Sequence, residues 1–253
     1  MSLAAVIITF NEQKNIKDAL DSAKKITDEI IVIDSGSTDD TVKIAETNGA
    51  RVIYRAWDDD FSAQRNFAAQ NAKAKWLFQL DADERISDEL AASIKQAVQH
   101  DNDKIYVCRR KNTVFGQEFG YGVFRPDKVE RLYPRDKASW QGKVHEGLKS
   151  ELPREFIKGT LVHYPYDNWE QYFNKFNKYT TIWAQDAFER GKKTSLPNAF
   201  IHAGFSFLKV TFIDKGILDG WKGLMMCCFH FVYTMTKYVK LYDLWQENGG
   251  AGN

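Results

Sequence analysis

Uninterrupted apolar runs alternate with helical periodicity along the first hundred residues. Ala4–Thr9 (AAVIIT) and Glu29–Ile33 (EIIVI) lack polar alternation, the pattern of strands covered on both faces, and Arg51–Tyr54 (RVIY) predicts a third, shorter strand. Between the first two, Ile16, Ala19, Leu20 and Ala23 recur at helical spacing within Asn15–Lys25. Between the second and third, a helix through Val42, Ile44 and Ala45 closes at Asn48-Gly49, and Ser37 or Thr38 is its expected cap. The order strand, helix, strand, helix, strand predicts a parallel sheet with right-handed crossovers. Phe61–Ala74 (FSAQRNFAAQNAKA) predicts a helix capped by Ser62, with Phe61, Phe67, Ala68 and Ala72 packed inward. Trp76–Leu80 (WLFQL) reads as a buried strand, and Ser87 as the cap of a helix to about Gln99 with Leu90, Ile94 and Val98 on one face.

The pattern then changes. After a strand at Ile105–Cys108, residues Arg109–Gly147 are rich in Gly, Tyr, Phe and Arg, with short alternating runs such as Val129–Tyr133. They predict strands and loops built over the sheet edge, and Phe156–Tyr164 a last strand. Asn168–Arg190 is a long helix whose Tyr172, Phe176, Tyr179 and Trp183 form one stripe, a docking face. Beyond Pro197 two apolar segments, Phe200–Ile213 and Leu224–Val239, are punctuated by Lys209, Lys215, Lys222, Lys237 and Lys240. Such amphipathic helices suit a membrane surface; they equally suit a helical pair packed on the core or a dimer contact. The expected division is an α/β domain over 1–165 and a helical extension over 166–253.

Composition changes this picture little. The 253 residues are 43% hydrophobic and 27% charged, ordinary for a globular chain, and a net charge of +1 gives no reason to expect a nucleic-acid partner. Cys108, Cys227 and Cys228 are spaced for neither a disulfide framework nor a zinc site, which favours a reducing, cytoplasmic setting. No signal peptide is visible, and no apolar run reaches the roughly 18 residues of a spanning helix.

The chemistry gathers in turns. Thr9-Phe10-Asn11, Asp34–Ser37 and Asp81–Glu84 all follow strands, and open α/β sheets bind ligands beyond the carboxyl ends of their strands. Asp81 and Asp83, one residue apart, can reach one divalent cation, and hard cations take carboxylates together with substrate phosphates. Arg65, near a helix start, suits a pyrophosphate. The basic residues from Arg109 to Lys143, Arg110 and Arg131 among them, suit an anionic acceptor or phosphates. His145 beside Glu146 is a metal or acid/base pair, and His163 ends the last strand.

Taken together, TFNEQKNI (Thr9–Ile16), VIDSGSTDDT (Val32–Thr41), FSAQRNFA (Phe61–Ala68) and LDADE (Leu80–Glu84) resemble inverting family-2 glycosyltransferases of the GT-A fold, a Rossmann-like, mostly parallel sheet flanked by helices. With VHE (Val144–Glu146) and LVHY (Leu161–Tyr164) the chain is similar to the lipopolysaccharide-core β-glucosyltransferases that act on inner-core heptose. The resemblance implies that Thr9, Asn11, Glu12 and Asp34 contact the nucleoside, with Ser35 and Gly36 in the same turn. It implies that Arg65 approaches the diphosphate or base, and that Asp81, Ala82 and Asp83 form the D-x-D motif, with Asp83 the more direct ligand of Mn²⁺ or Mg²⁺. His145 or His163 joins the metal. Glu146 is the catalytic base, with Asp127 in reserve. The implied donor is UDP-glucose, and the acceptor a lipid-anchored glycan at the cytoplasmic face of a bacterial inner membrane. The same fold with another acceptor (a surface glycan or a peptide), a non-catalytic nucleotide-sugar-binding module and a membrane-surface scaffold are the alternatives.

Overall fold

A computed structural model describes residues 2–142 and 146–249. The chain divides into two compact units, Met1–Lys111 with Asp127–Tyr164, and Asn112–Pro126 with Pro165–Asn253.

In the first unit the apolar runs become β1 (Leu3–Thr9), β2 (Glu29–Asp34), β3 (Arg51–Tyr54) and β4 (Trp76–Asp81), with α1 (Ile16–Ala23), α2 (Thr41–Thr47) and α3 (Phe61–Asn71) as crossovers. A short strand β5 (Glu84–Ile86) precedes α4 (Asp88–His100). Then follow β6 (Ile105–Val114), whose last three residues and the short β7 (Gln117–Glu118) fall in the second unit, and β8 (Asp127–Pro134), β9 (Ser139–Gln141), β10 (Gly147–Lys149) and β11 (Arg154–His163). Strands β3-β2-β1-β4 are parallel, and the main sheet continues through β8, β6, β11 and β5, with β8 antiparallel to β4 and β6. Side chains alternate across this sheet into two apolar layers: Ile7, Leu20, Phe78 and Ile94 lie in one, Val6, Ile31, Ala68 and Leu77 in the other. Both faces are therefore covered, which is why β1 and β2 show no polar alternation. Each fully buried Ile or Leu contributes about 1.5–3 kcal/mol.

Two expected caps are replaced. Helix α3 is capped by Asp60, whose carboxylate accepts from the Ala63 amide at 2.9 Å, while Ser62 donates to the Gly142 carbonyl at 2.6 Å. A cap needs extended backbone and an oxygen aimed at the first free amides, and a carboxylate there also meets the positive end of the helix dipole. Phe61, expected inside, is exposed and lies edge-on to Trp57. Helix α2 begins only at Thr41, whose amide donates to Asp39, and Ser37 and Thr38 hold the neighbouring turn instead.

Ser87 does cap α4, accepting from the Leu90 amide at 3.3 Å, and its hydroxyl oxygen also takes the Thr160 amide of β11 at 3.0 Å. This contact draws α4 onto the β11 backbone at Gly159, where φ is +94° and an added Cβ would lie 2.2 Å from the Leu90 nitrogen. Gly159→Ala therefore combines a strained backbone with an overlap against helix backbone, and a loss of about 3 kcal/mol or more is expected. Urea denaturation measures it; a loss under about 1 kcal/mol would show that the helix shifts freely.

The second unit holds α5 (Trp169–Glu189), α6 (Leu196–Leu208) and α7 (Gly220–Glu247), with a π-turn at Lys209–Ile213 and a 3-10 turn at Gly216–Asp219 linking the last two. The aromatic stripe of α5 docks on α7 through Tyr172–Phe229, Phe176–Tyr233 and Trp183–Tyr238, while Tyr179 stays exposed. Helices α6 and α7 approach through Ala199 and Ala203, both fully buried, and His202 stacks on Tyr238 at 4.4 Å. Residues 112–126, which the sequence reading placed in the α/β domain, belong here. Val114 and Phe119 share an apolar cluster with Tyr172 and Met226, so burial decides their membership rather than chain order. No described helix is long and apolar enough to cross a membrane.

Candidate functional site

The sheet register aligns the polar turns. Thr9 stands opposite Asp34, and Ile8 opposite Asp81, so the carboxyl ends of β1, β2 and β4 form one edge. Chain order reverses here, with β2 and β4 on opposite sides of β1, and such switch points hold ligands in open α/β sheets. The first two turns are tied together: the Asn11 amide donates to Ser37 Oγ at 2.9 Å, Asn11 Oδ1 accepts from the Thr38 amide at 2.8 Å, and the Glu12 amide donates to Thr41 Oγ1 at 2.8 Å. Asp34 folds its carboxylate back on its own turn, accepting from the Gly36 and Ser37 amides at 2.9 Å each. Gly36 has φ +100°, which a side chain would strain. Ser35 Oγ accepts from Gln64 Nε2 at 3.2 Å.

The acidic cluster divides into two parts. Asp81 is an internal ion-pair partner: Arg131 Nη2 lies 2.7 Å from its Oδ2, and Arg65 Nη2 3.1 Å from its Oδ1. Arg131 also donates to the fully buried Glu84 at 2.5 Å, and Glu84 receives Arg110 at 3.2 Å and the Asp81 amide at 3.1 Å. Burial alone would raise the Asp81 pKa; the charges of Arg131, Arg65 and Arg110 outweigh it and hold this carboxyl well below the usual carboxylate range. Burial pushes the Glu84 carboxyl above its ordinary value against the pull of Arg131, and the adjacent Asp81 charge adds to the rise. Arg110 and Arg131, read from sequence as part of a patch for an anionic ligand, are turned on the chain's own carboxylates.

Asp83 is placed differently. Strand β11 pairs antiparallel with β5, setting His163 opposite Glu84, and the Tyr164 amide donates to the Asp83 carbonyl at 2.8 Å. This register brings His163 Nε2 to 3.3 Å from Asp83 Oδ2, with about a fifth of each side chain exposed. A carboxylate and an imidazole on one side suit Mn²⁺ or Mg²⁺ that completes its shell with phosphate oxygens and water. Among the described residues no group of three or more His, Cys, Asp and Glu gathers as a complete metal site. Ala82, between the two aspartates, is buried. His145, the other expected metal ligand, lies outside the described residues.

Arg65 is 4% exposed, its guanidinium 4.8 Å from the Trp140 ring, and its Nη2 reaches Glu146 Oε1 at 3.2 Å. Its Nε and Nη1 are buried without a hydrogen-bond partner among the described residues. Arg65 thus joins Asp81 to Glu146 across the edge. Asp127 lies further out, exposed, with both oxygens on Arg110 at 2.6 and 3.0 Å. The structure brings Asp81, Asp83, His163, Arg65 and Glu146 into one neighbourhood through shared partners and chain proximity, and ties Asp127 to it through Arg110 and Glu84. Sequence reasoning missed Arg131 and Glu84 as its centre. The signal was the two-residue alternation that sets Arg131 on the same face of β8 as the buried Tyr133.

The chain is similar to proteins named as glycosyltransferases. A glycosyltransferase of Rickettsia prowazekii (strain Madrid E), described as uncharacterized, is 32% identical over 255 residues, covering 96% of this chain and 87% of its own length. The lipopolysaccharide core biosynthesis glycosyltransferase LpsC of Rhizobium meliloti (strain 1021) is 27% identical, covering 96% of this chain and 93% of its own. Among solved structures, glucosyl-3-phosphoglycerate synthase of Mycobacterium tuberculosis, in complex with Mn²⁺, UDP and glucosyl-3-phosphoglycerate, aligns over 53% of this chain and 57% of its own at 19% identity, with a TM-score of 0.40. The family model for glycosyl transferase family 2 matches residues 4–146, which takes in the three polar turns, Arg65 and Glu146, and the chain belongs to that family.

Proposed function

We propose that this glycosyltransferase moves glucose from UDP-glucose to a lipopolysaccharide or lipooligosaccharide inner-core acceptor, by a metal-dependent single displacement that inverts the anomeric centre. The observation that carries the reading is the Asp83–His163 pair at the switch-point edge. The motifs Val144–Glu146 and Leu161–Tyr164, with the relative named for lipopolysaccharide core biosynthesis, favour this acceptor class.

Asp83 and His163 would hold Mn²⁺ or Mg²⁺. Bound there, the metal would supply Lewis-acid stabilisation of the charge on the departing diphosphate. The chain's own residues do the rest. Thr9, Asn11, Glu12 and the Asp34–Gly36 turn contact the nucleoside, held rigid by the loop-to-loop hydrogen bonds. Asp81, fixed by Arg131, keeps the Ala82-Asp83 turn in place, and Arg65 sets a positive charge beside it. Glu146 takes the proton of the acceptor hydroxyl as that oxygen bonds to the anomeric carbon; the bond from that carbon to the diphosphate oxygen breaks, and UDP leaves.

A donor screen tests the reading: UDP-glucose, UDP-galactose, UDP-N-acetylglucosamine and GDP-mannose against heptose-containing core acceptors. UDP-glucose with Mn²⁺ or Mg²⁺ is expected to give a β-linked product. Binding of UDP-glucose without turnover on any glycan would identify a non-catalytic nucleotide-sugar module. Glu146→Gln is expected to lower kcat about 10²–10⁴-fold with donor affinity unchanged. Undiminished turnover in that variant would move the base elsewhere, with Asp127 next to be replaced.

A further inference from the structure

The second unit presents an apolar surface whose chemistry names its partner. On α6 and the π-turn, Ile201, Phe205, Leu208 and Phe212 follow one another at intervals of four, three and four residues, and each is more than half exposed. Leu218 and Trp221, 62% and 72% exposed, extend the apolar exposure into the start of α7. Soluble surfaces rarely gather exposed large side chains in this way unless something covers them.

Positive charge predominates along the segment that carries this surface. Residues 191–242 contain seven lysines and two acids, Asp214 and Asp219. Both acids are engaged within the unit: Asp214 with Arg125 and Lys209 at 3.1 Å each, and Asp219 with the Gly120 and Tyr121 amides at 3.1 and 2.9 Å. Among the described residues the other six lysines have no carboxylate partner. Lys192 and Lys237 lie over the rings of Trp183 and Tyr238 instead, and Lys240 is held by Asn177 and Thr181.

We infer that the exposed α6–α7 face is an insertion surface for an anionic lipid leaflet. A second copy of the chain is the poorer occupant, because a twofold contact sets the same patch against itself and brings lysine against lysine. A leaflet of anionic headgroups supplies the missing negative charge, at about 1 kcal/mol per lysine near the surface, while its acyl boundary takes up the apolar stripe. Trp221 is a residue type that favours the headgroup level. Helix α6 has 13 residues, too short to span, so it lies in the interface plane. The purpose of this surface rests on the reading of a lipid-anchored acceptor, but its test needs neither donor nor acceptor.

Sedimentation of the full chain with vesicles decides it. The chain is expected to pellet with phosphatidylglycerol vesicles, to bind phosphatidylcholine vesicles much less, and to be released as salt rises. Phe205→Ser combined with Phe212→Ser and Trp221→Ser, all at exposed positions, is expected to weaken the partition about 100-fold with the circular dichroism unchanged. Lys193→Gln with Lys215→Gln is expected to weaken it about 30-fold at low salt and much less at high salt. A chain that stays in the supernatant with anionic vesicles overturns the inference, as does a triple variant that binds as well as the parent. A parent that sedimentation velocity shows as a dimer, without vesicle binding and made monomeric by the triple substitution, assigns the face to a second copy. Either negative result leaves transfer to a soluble core acceptor intact, so failure here and failure of the proposed activity are told apart.

Discussion

Replacing Asp83 with alanine is expected to lower glycosyl transfer about 10²–10³-fold or more while changing stability by less than about 1 kcal/mol. The asymmetry follows from its surroundings. Asp81 and Glu84 are held by arginines, whereas Asp83, about as exposed as Asp81, faces His163 at 3.3 Å. Removing its carboxylate takes away the anionic ligand of the proposed metal and leaves no buried charge behind. His163→Ala is expected to weaken the metal about 10–100-fold, so that added Mn²⁺ restores part of the rate. Chelation should abolish turnover of the parent, and Mn²⁺ should return it. Full activity of Asp83→Ala in the presence of chelator would sink the metal assignment. Wild-type activity in His163→Ala at limiting Mn²⁺ would return the ligand role to His145.

Arg131→Met is expected to cost about 3–5 kcal/mol of stability, the largest structural effect at the site. Arg131 is 3% exposed, and one of its nitrogens bridges Asp81 at 2.7 Å and Glu84 at 2.5 Å. Deleting it leaves the buried Glu84 carboxylate beside the partly buried Asp81, with Arg110 on the first and Arg65 on the second. Adding Glu84→Gln removes one of those charges, and the double variant should recover part of the loss. The pH dependence has a definite sign. In the parent the Asp81 pKa is depressed, so its stabilisation is present above the ordinary carboxylate pKa and is lost as pH falls through the lower folded value. Without Arg131 that carboxyl titrates higher, and protonation relieves the variant at mild acidity. The difference between parent and variant in urea denaturation should therefore narrow from pH 7 to pH 4. A constant difference across that range would mean that lost packing of the arginine side chain, not unpaired charge, is the cause.

The two aspartates of one motif thus have different partners, which their spacing does not show. Spacing offers both Asp81 and Asp83 to one cation, and only the family resemblance singles out Asp83 as the more direct ligand. The partner of each comes from a strand far along the chain: Arg131 from β8, paired with β4, and His163 from β11, paired with β5. Such pairings depend on sheet register, and a shift of one residue turns every side chain to the opposite face. The same reason explains why Arg110 and Arg131 read as a ligand-binding patch. A guanidinium in a short alternating strand carries no local mark of the carboxylate it will meet. The Asp60 cap and the exposed Phe61 were missed for a smaller reason, since several polar residues flank the helix start and backbone extension selects among them.

Local pattern alone determined the strand–helix alternation of residues 3–100, the polar turns at the carboxyl ends of β1, β2 and β4, and the aromatic stripe of α5. Each is encoded in periodicity, because burial on both faces, on one face or on neither imposes a distinct spacing of apolar residues. Tertiary structure decided which carboxylate is neutralised by arginines and which faces a histidine. It also decided that residues 112–126 join the helical unit. These outcomes depend on contacts between residues far apart in the chain, Asp83 with His163 and Gly120 with Asp219 among them, and no spacing rule along the chain records such contacts.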